Sequence, residues 1–176
     1  MSNIILIGYM GCGKSTLGRT VSAITGCRFI DLDTYIEGRY HHTVKELFAL
    51  HGESGFRDLE RNMLHEVGQF EDVVVACGGG TPCFFDNMDW MNQAGTTVFL
   101  DTSVDKLHVR LMRGRHKRPL IADKNDEELR RFIVDALEAR MPYYSKAEVV
   151  FKADLLDSEC EKSDTARRFI KQLNLE

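Results

Sequence analysis

Four consecutive aliphatic residues, Ile4–Ile7, run straight into Gly8-Tyr9-Met10-Gly11-Cys12-Gly13-Lys14-Ser15, and helical periodicity begins at once. No other feature restricts the fold as much. A short, wholly apolar run bounded by glycine reads as a strand covered on both faces. From Lys14 to Ile24, residues Leu17, Thr20, Val21 and Ile24 recur at helical spacing. Strand, glycine loop and helix in that order begin a βαβ unit. The alternation continues through Arg28–Ile30, Val73–Ala76, Thr97–Leu100 and Val149–Phe151. The expected fold is α/β with a parallel sheet, and residues 1–176 are expected to form a single domain without linker or repeat.

The loop itself has the form G-x-x-x-x-G-K-S. Its glycines let the backbone curl so that successive N–H groups point inward at phosphates, and the next helix adds its positive end. Lys14 then reaches the β- and γ-phosphates and the Ser15 hydroxyl ligates Mg²⁺. Gly11, Cys12, Gly13 and Thr16 supply the neighbouring nucleotide contacts, so ATP and Mg²⁺ are the expected cofactors. The Cys12 thiol, beside a helix N-terminus, is a candidate for reactivity. A chain with such a loop commonly holds its metal with an aspartate ending a second strand. Val73–Ala76 ends instead in Cys77-Gly78-Gly79-Gly80, while acids follow another strand in Phe29-Ile30-Asp31-Leu32-Asp33. Asp31 is the expected partner of the metal's water shell, and Asp33 the expected proton acceptor for an alcohol. Either carboxylate alternatively caps the next helix.

Further along, Thr43-Val44-Lys45-Glu46 and Asn125-Asp126-Glu127-Glu128 have capping-box form. Leu129, Phe132, Ile133, Ala136 and Leu137 form one stripe, and Pro142 is expected to stop that helix near Arg140 or Met141. Arg140 falls on the apolar stripe, where a charge either snorkels to solvent or is aimed at an anion. Arg57, with Glu53, Glu60 and Arg61 at helical spacing, belongs to a surface ion-pair ladder or to the same anion. Gly78, Gly79 and Gly80 make either a tight turn or a place where a ligand approaches the backbone. From Lys106 to Ala122 there is no acid, while Arg110, Arg113, Arg115, Lys117 and Arg118 crowd together. Gly114 and Pro119 make that stretch a loop: a solvated one, a nucleic-acid patch, or a lid that brings arginine to a transferring phosphoryl group.

Charge and cysteine usage narrow the classes. A net charge of −4 argues against nucleic acid and anionic membrane as partners. The five cysteines are odd in number and lack C-x-x-C spacing, so neither a disulfide framework nor a zinc site is expected. No apolar run approaches the roughly 18 residues that span a bilayer. The first residues lack a signal peptide's basic region and cleavage site, and the cytoplasm is the expected location.

Taken together, Gly8–Ser15, Asp31-Leu32-Asp33, Gly52–Arg57, Gly78–Gly80, Arg118-Pro119-Leu120-Ile121 and Arg140–Tyr144 resemble the shikimate kinases, within the nucleoside-monophosphate-kinase-like group of P-loop proteins. The resemblance covers nearly the whole chain. It implies a three-layer α/β/α domain whose five-stranded sheet has the order 2-3-1-4-5, an acceptor-binding helical region over residues 34–70 and a lid over residues 113–123. It also implies phosphorylation of a shikimate ring hydroxyl by ATP, with Lys14, Asp33 and Arg118 catalytic. Arg57, Arg140 and Gly78–Gly80 would hold the acceptor, Arg113 and Arg118 would contact the nucleotide, and Ser15 and Asp31 would hold the metal. A monomer acting on a small-molecule substrate is expected.

Overall fold

The computed structural model describes residues 3–115 and 120–175. In chain order the elements are β1 (Ile4–Ile7), α1 (Lys14–Thr25), β2 (Arg28–Asp31), α2 (Leu32–Tyr40), α3 (Val44–Val67), β3 (Val73–Ala76), α4 (Asn87–Ala94), β4 (Thr96–Asp101), α5 (Val104–Gly114), α6 (Asp126–Tyr144), β5 (Val149–Lys152) and α7 (Glu159–Leu173). The strands pair in parallel in the order β2-β3-β1-β4-β5, with Ile5 opposite Val75 on one side and Thr97 on the other. Both the α/β class and the strand order match expectation.

The apolar strands are explained by the two cores they separate. Ile4, Leu6, Val74 and Val98 face Leu17 and Val21 of α1, Leu107 and Leu111 of α5, Ile133 of α6 and Phe169 of α7. Ile5, Ile7, Val73 and Val75 face Leu32 and Ile36 of α2, Phe56 and Leu64 of α3 and Met91 of α4. Successive residues of one strand thus enter opposite layers, so every position must be apolar. Among the described residues, no helix is long and apolar enough to cross a membrane.

Three local expectations differ. Ile24 ends the predicted α1 stripe but is 48% exposed; Gly18 is buried in its stead, since a Cβ there would lie 2.4 Å from the Phe29 ring. The basic stretch is helical through Gly114, because Ser103 caps α5 and Leu107 and Leu111 bury its inner face. Helix α6 runs through Pro142 to Tyr144, past the expected stop. Proline removes the donor for the Glu138 carbonyl, yet Glu138 is exposed and water can serve that group. The last turn is held by Tyr144, which is fully buried, stacks on Phe99 with centroids 5.0 Å apart and donates its hydroxyl to the Gly79 carbonyl at 2.6 Å. Tertiary packing outweighs one missing backbone bond. Tyr144→Phe is expected to cost about 1–2 kcal/mol by orphaning that carbonyl. Its thermal midpoint should fall by roughly 2–8 °C; an unchanged melt would show that the hydroxyl ties nothing down.

Candidate active site

The C-terminal ends of β1 and β3 deliver two loops, and that of β2 the start of α2, to one side of the sheet, where doubly wound folds bind ligands. The first is Gly8–Gly13. Gly11 and Gly13 have φ of 82° and 101°, backbone that a side chain would strain, so their glycines are conformational. Gly13 caps α1 without a side-chain bond and the first turn holds no acid, which leaves the helix N–H groups for an anion. Lys14 Nζ donates to the carbonyls of Gly8 (2.8 Å) and Tyr9 (3.1 Å), folding the ammonium back over the loop. Cys12 is 1% exposed beneath it. Its burial denies reagents the access that a reactive thiol needs.

Ser15, Asp31 and Asp33 stand next to one another in a graded series. The Ser15 hydroxyl donates to Asp31 Oδ2 at 2.6 Å, while Asp31 Oδ1 accepts from the Thr34 N–H and caps α2. Asp33 therefore does not perform the capping role. Its residue surface is open to the cleft, but the cleft walls surround the carboxylate. That burial, followed by the nearby charges of Asp31 and Glu60, pushes its pKa up to about 6, with Lys14 opposing.

The acceptor side is built on Gly78–Gly80. None of the three has a positive φ, so their glycines are needed for room. A Cβ on Gly78 would lie 3.4 Å from Asp33 Oδ1 and 3.1 Å from Glu60 Oε1. On Gly79 it would lie 3.1 Å from an Arg140 terminal nitrogen, and on Gly80 3.0 Å from one of Arg57. Each glycine thus underlies a different charged group, and Asp33, Arg57 and Arg140 converge above one floor.

Arg57 enters from α3, one turn after Gly52 breaks the helix with φ 67°. Its guanidinium bonds Glu60 at 2.8 Å and lies 4.1 Å from the Phe84 ring centroid. Glu60 is 1% exposed and also accepts the Thr81 hydroxyl at 2.6 Å. The 3.6 Å contact of Arg57 with exposed Glu53 is the outer remnant of the surface ladder. Arg140 lies over the Tyr9 ring at 5.2 Å and has no carboxylate partner among the described residues.

A family model for shikimate kinase matches residues 10–174. The chain belongs to the shikimate kinase family. A shikimate kinase of Phocaeicola vulgatus is 54% identical over 174 residues, covering 99% of both chains. The crystal structure of a shikimate kinase from Bacteroides thetaiotaomicron, 49% identical, superposes with a TM-score of 0.95 over 98% of each chain. A shikimate kinase from Acinetobacter baumannii in complex with shikimate is 31% identical, with a TM-score of 0.84 over 99% of this chain and 93% of that one.

Within this shikimate kinase fold, some expected groups fall elsewhere. Arg118 lies outside the described residues, as does the rest of 116–119. Arg113 is exposed in the last turn of α5. One turn earlier, Arg110 lines a cleft of about 460 Å³ beside Gly11, Lys14 and Ser15, anchored to Asp157 (3.0 Å) and the Asp154 carbonyl (2.8 Å). Leu156 and Lys162 line it too. The sequence shows Arg110 only as one of a basic cluster, because periodicity does not say which arginine of a helix faces a distant loop. Glu60 was legible only as a neighbour of Arg57; its burial carried no local signal. Tyr144 lay inside a quoted motif without a role.

Proposed function

We propose that this protein transfers the γ-phosphoryl group of ATP to the 3-hydroxyl of shikimate, giving shikimate 3-phosphate and ADP in chorismate biosynthesis. The observation that carries this reading is the convergence of Asp33, Arg57 and Arg140 on the Gly78–Gly80 floor, beside a phosphate loop. Two guanidiniums suit a carboxylate-bearing acceptor because their planar forks bind it bidentately. The aspartate suits an alcohol, which must lose a proton to attack; a nucleotide phosphate needs no such base.

The mechanism follows from position and charge. Lys14 swings from the loop carbonyls to the β- and γ-phosphates, which the N–H groups of the loop and α1 cradle. Asp33, mostly ionised at neutral pH with a pKa of about 6, accepts the hydroxyl proton. Arg57, held by Glu60, and Arg140, braced on Tyr9, orient the substrate carboxylate so that the hydroxyl faces the γ-phosphorus. Residues 34–70 form the acceptor-binding region. Residues 113–123 serve as the lid, with Arg118 meeting the transferring group and water kept out on closure.

Ser15 and Asp31, 2.6 Å apart, would hold Mg²⁺, since they make an all-oxygen set with one carboxylate of the kind that ion prefers. When bound, it neutralises phosphate charge. Acceptor-dependent ADP release with shikimate and magnesium tests the proposal, and turnover of another alcohol but not shikimate would overturn it. Arg57→Ala and Arg140→Ala are each expected to raise the KM for shikimate about 10- to 100-fold, from loss of a charge-assisted bond. The KM for ATP should stay within about twofold, since neither arginine lines the cleft beside Lys14 and Ser15.

A further inference from the structure

Among the described residues, the Arg57 guanidinium is hydrogen-bonded at one corner, by Nη1 to Glu60 at 2.8 Å. Nη2 meets only the exposed Glu53, at 3.6 Å, and the buried Nε has no hydrogen-bond partner there. A guanidinium tethered at one corner can pivot about that bond. Two-point recognition of a carboxylate, however, requires the plane of the fork to be fixed. Rings supply what the hydrogen bonds leave open. The Phe84 centroid lies 4.1 Å from Arg57 Cζ, close enough for the cation to rest on the ring. Phe56 and Phe48 stand farther off, at 5.4 and 5.6 Å, and stack on each other.

Phe84 is itself held from two directions. It follows a single 3-10 turn, Thr81–Cys83, which closes on the glycine floor. There the Thr81 N–H donates to the Gly78 carbonyl at 3.2 Å and the Cys83 N–H to the Gly80 carbonyl at 2.9 Å. Beyond the ring, the Asn87 N–H donates to the Phe84 carbonyl at 3.2 Å, and the Asn87 side-chain amide to the Thr81 carbonyl at 2.8 Å. Thr81, Pro82 and Asn87 are buried, and the Thr81 hydroxyl binds the same Glu60 that tethers Arg57. One short segment thus carries both the glycine beneath the Arg57 fork and the ring on which that fork lies.

We propose that Phe84 is a positioning residue for the acceptor: its ring fixes the plane of the Arg57 guanidinium, so that the fork is already turned to receive a carboxylate. The inference rests on the reading of Arg57 as a ligand of the acceptor's carboxylate. Phe84 acts through Arg57 and not on the reacting atoms.

The test pairs Phe84→Leu, which keeps apolar bulk but removes the π face, with Phe84→Tyr, which keeps the face. The residue is only partly buried, so both variants should fold. Phe84→Leu is expected to raise the KM for shikimate about 3- to 10-fold, the usual worth of a cation–ring contact. Its kcat and its KM for ATP should stay within about twofold, and Phe84→Tyr should restore the shikimate KM to within about twofold of the parent. Added to Arg57→Ala, Phe84→Leu should change that KM by less than about twofold, because the two side chains work as one unit. Independently of turnover, the Arg57 Nε–H resonance of isotopically labelled protein should move in Phe84→Leu, where the shielding ring is gone, and stay near its parent position in Phe84→Tyr. If Arg57→Ala raises the shikimate KM and Phe84→Leu does not, the positioning role is wrong and the role of Arg57 stands. A stationary Nε–H signal, a tyrosine variant as impaired as the leucine one, or an undiminished effect in the Arg57→Ala background would equally refute it. Arg57→Ala without effect on that KM would remove the carboxylate ligand, and this inference with it.

Discussion

Asp33→Asn is expected to lower kcat for shikimate phosphorylation about 10²- to 10⁴-fold, the usual contribution of a positioned general base. In the parent protein, kcat/KM for shikimate should fall about tenfold per pH unit below pH 6, where Asp33 takes up its proton. The variant should lack that limb. The sign of the stability effect is opposite. Because burial and neighbouring carboxylates raise this pKa above the ordinary value of 3.8, the protonated form is the one the fold favours. That contribution is complete below the unfolded pKa and is lost as pH rises through about 6. At pH 8 the uncharged asparagine should therefore melt no lower than the parent while turnover collapses. A variant that is both inactive and markedly less stable would instead assign Asp33 a structural role.

Lys14→Ala is expected to reduce kcat about 10²- to 10³-fold, as when a group aimed at developing charge is removed elsewhere. Its ammonium bonds the loop's own carbonyls at 2.8 and 3.1 Å, so part of any loss could reflect a slack loop. The melting curve and the KM for shikimate distinguish the causes: a charge effect leaves both near the parent values. Residual kcat within about tenfold of the parent would place the phosphoryl charge on other groups.

The phosphate loop was legible because its whole logic is local: strand, positive-φ glycines and helix follow within twelve residues of Ile4. The three layers were legible for the same reason, since strand residues that must be apolar on both sides announce two covering layers. The acceptor side was different. Asp33, Arg57, Gly78–Gly80 and Arg140 are brought together only by the sheet order, which periodicity does not encode, so their association came through family resemblance. Where local rules failed, a partner distant in sequence decided. Gly79 keeps α6 helical beyond Pro142 by receiving the Tyr144 hydroxyl, and Phe29 fills the side of α1 where a larger residue than Gly18 cannot fit. Triple glycine reads in the sequence as a tight turn or a place where a ligand approaches the backbone; in the structure charged side chains crowd over it, and no backbone angle there is unusual.

Helix α6 begins in one core, through Leu129 and Ile133, and ends in the other, through Tyr144, with Leu137 touching both. Arg140 sits where the helix changes sides. Fastened like a rivet through two plates, this guanidinium gives up little freedom when an acceptor arrives, so docking draws mainly on the looser groups around it. Solvent exchange of the α6 amides is accordingly expected to be slowest around this junction and to speed up only when both layers part together.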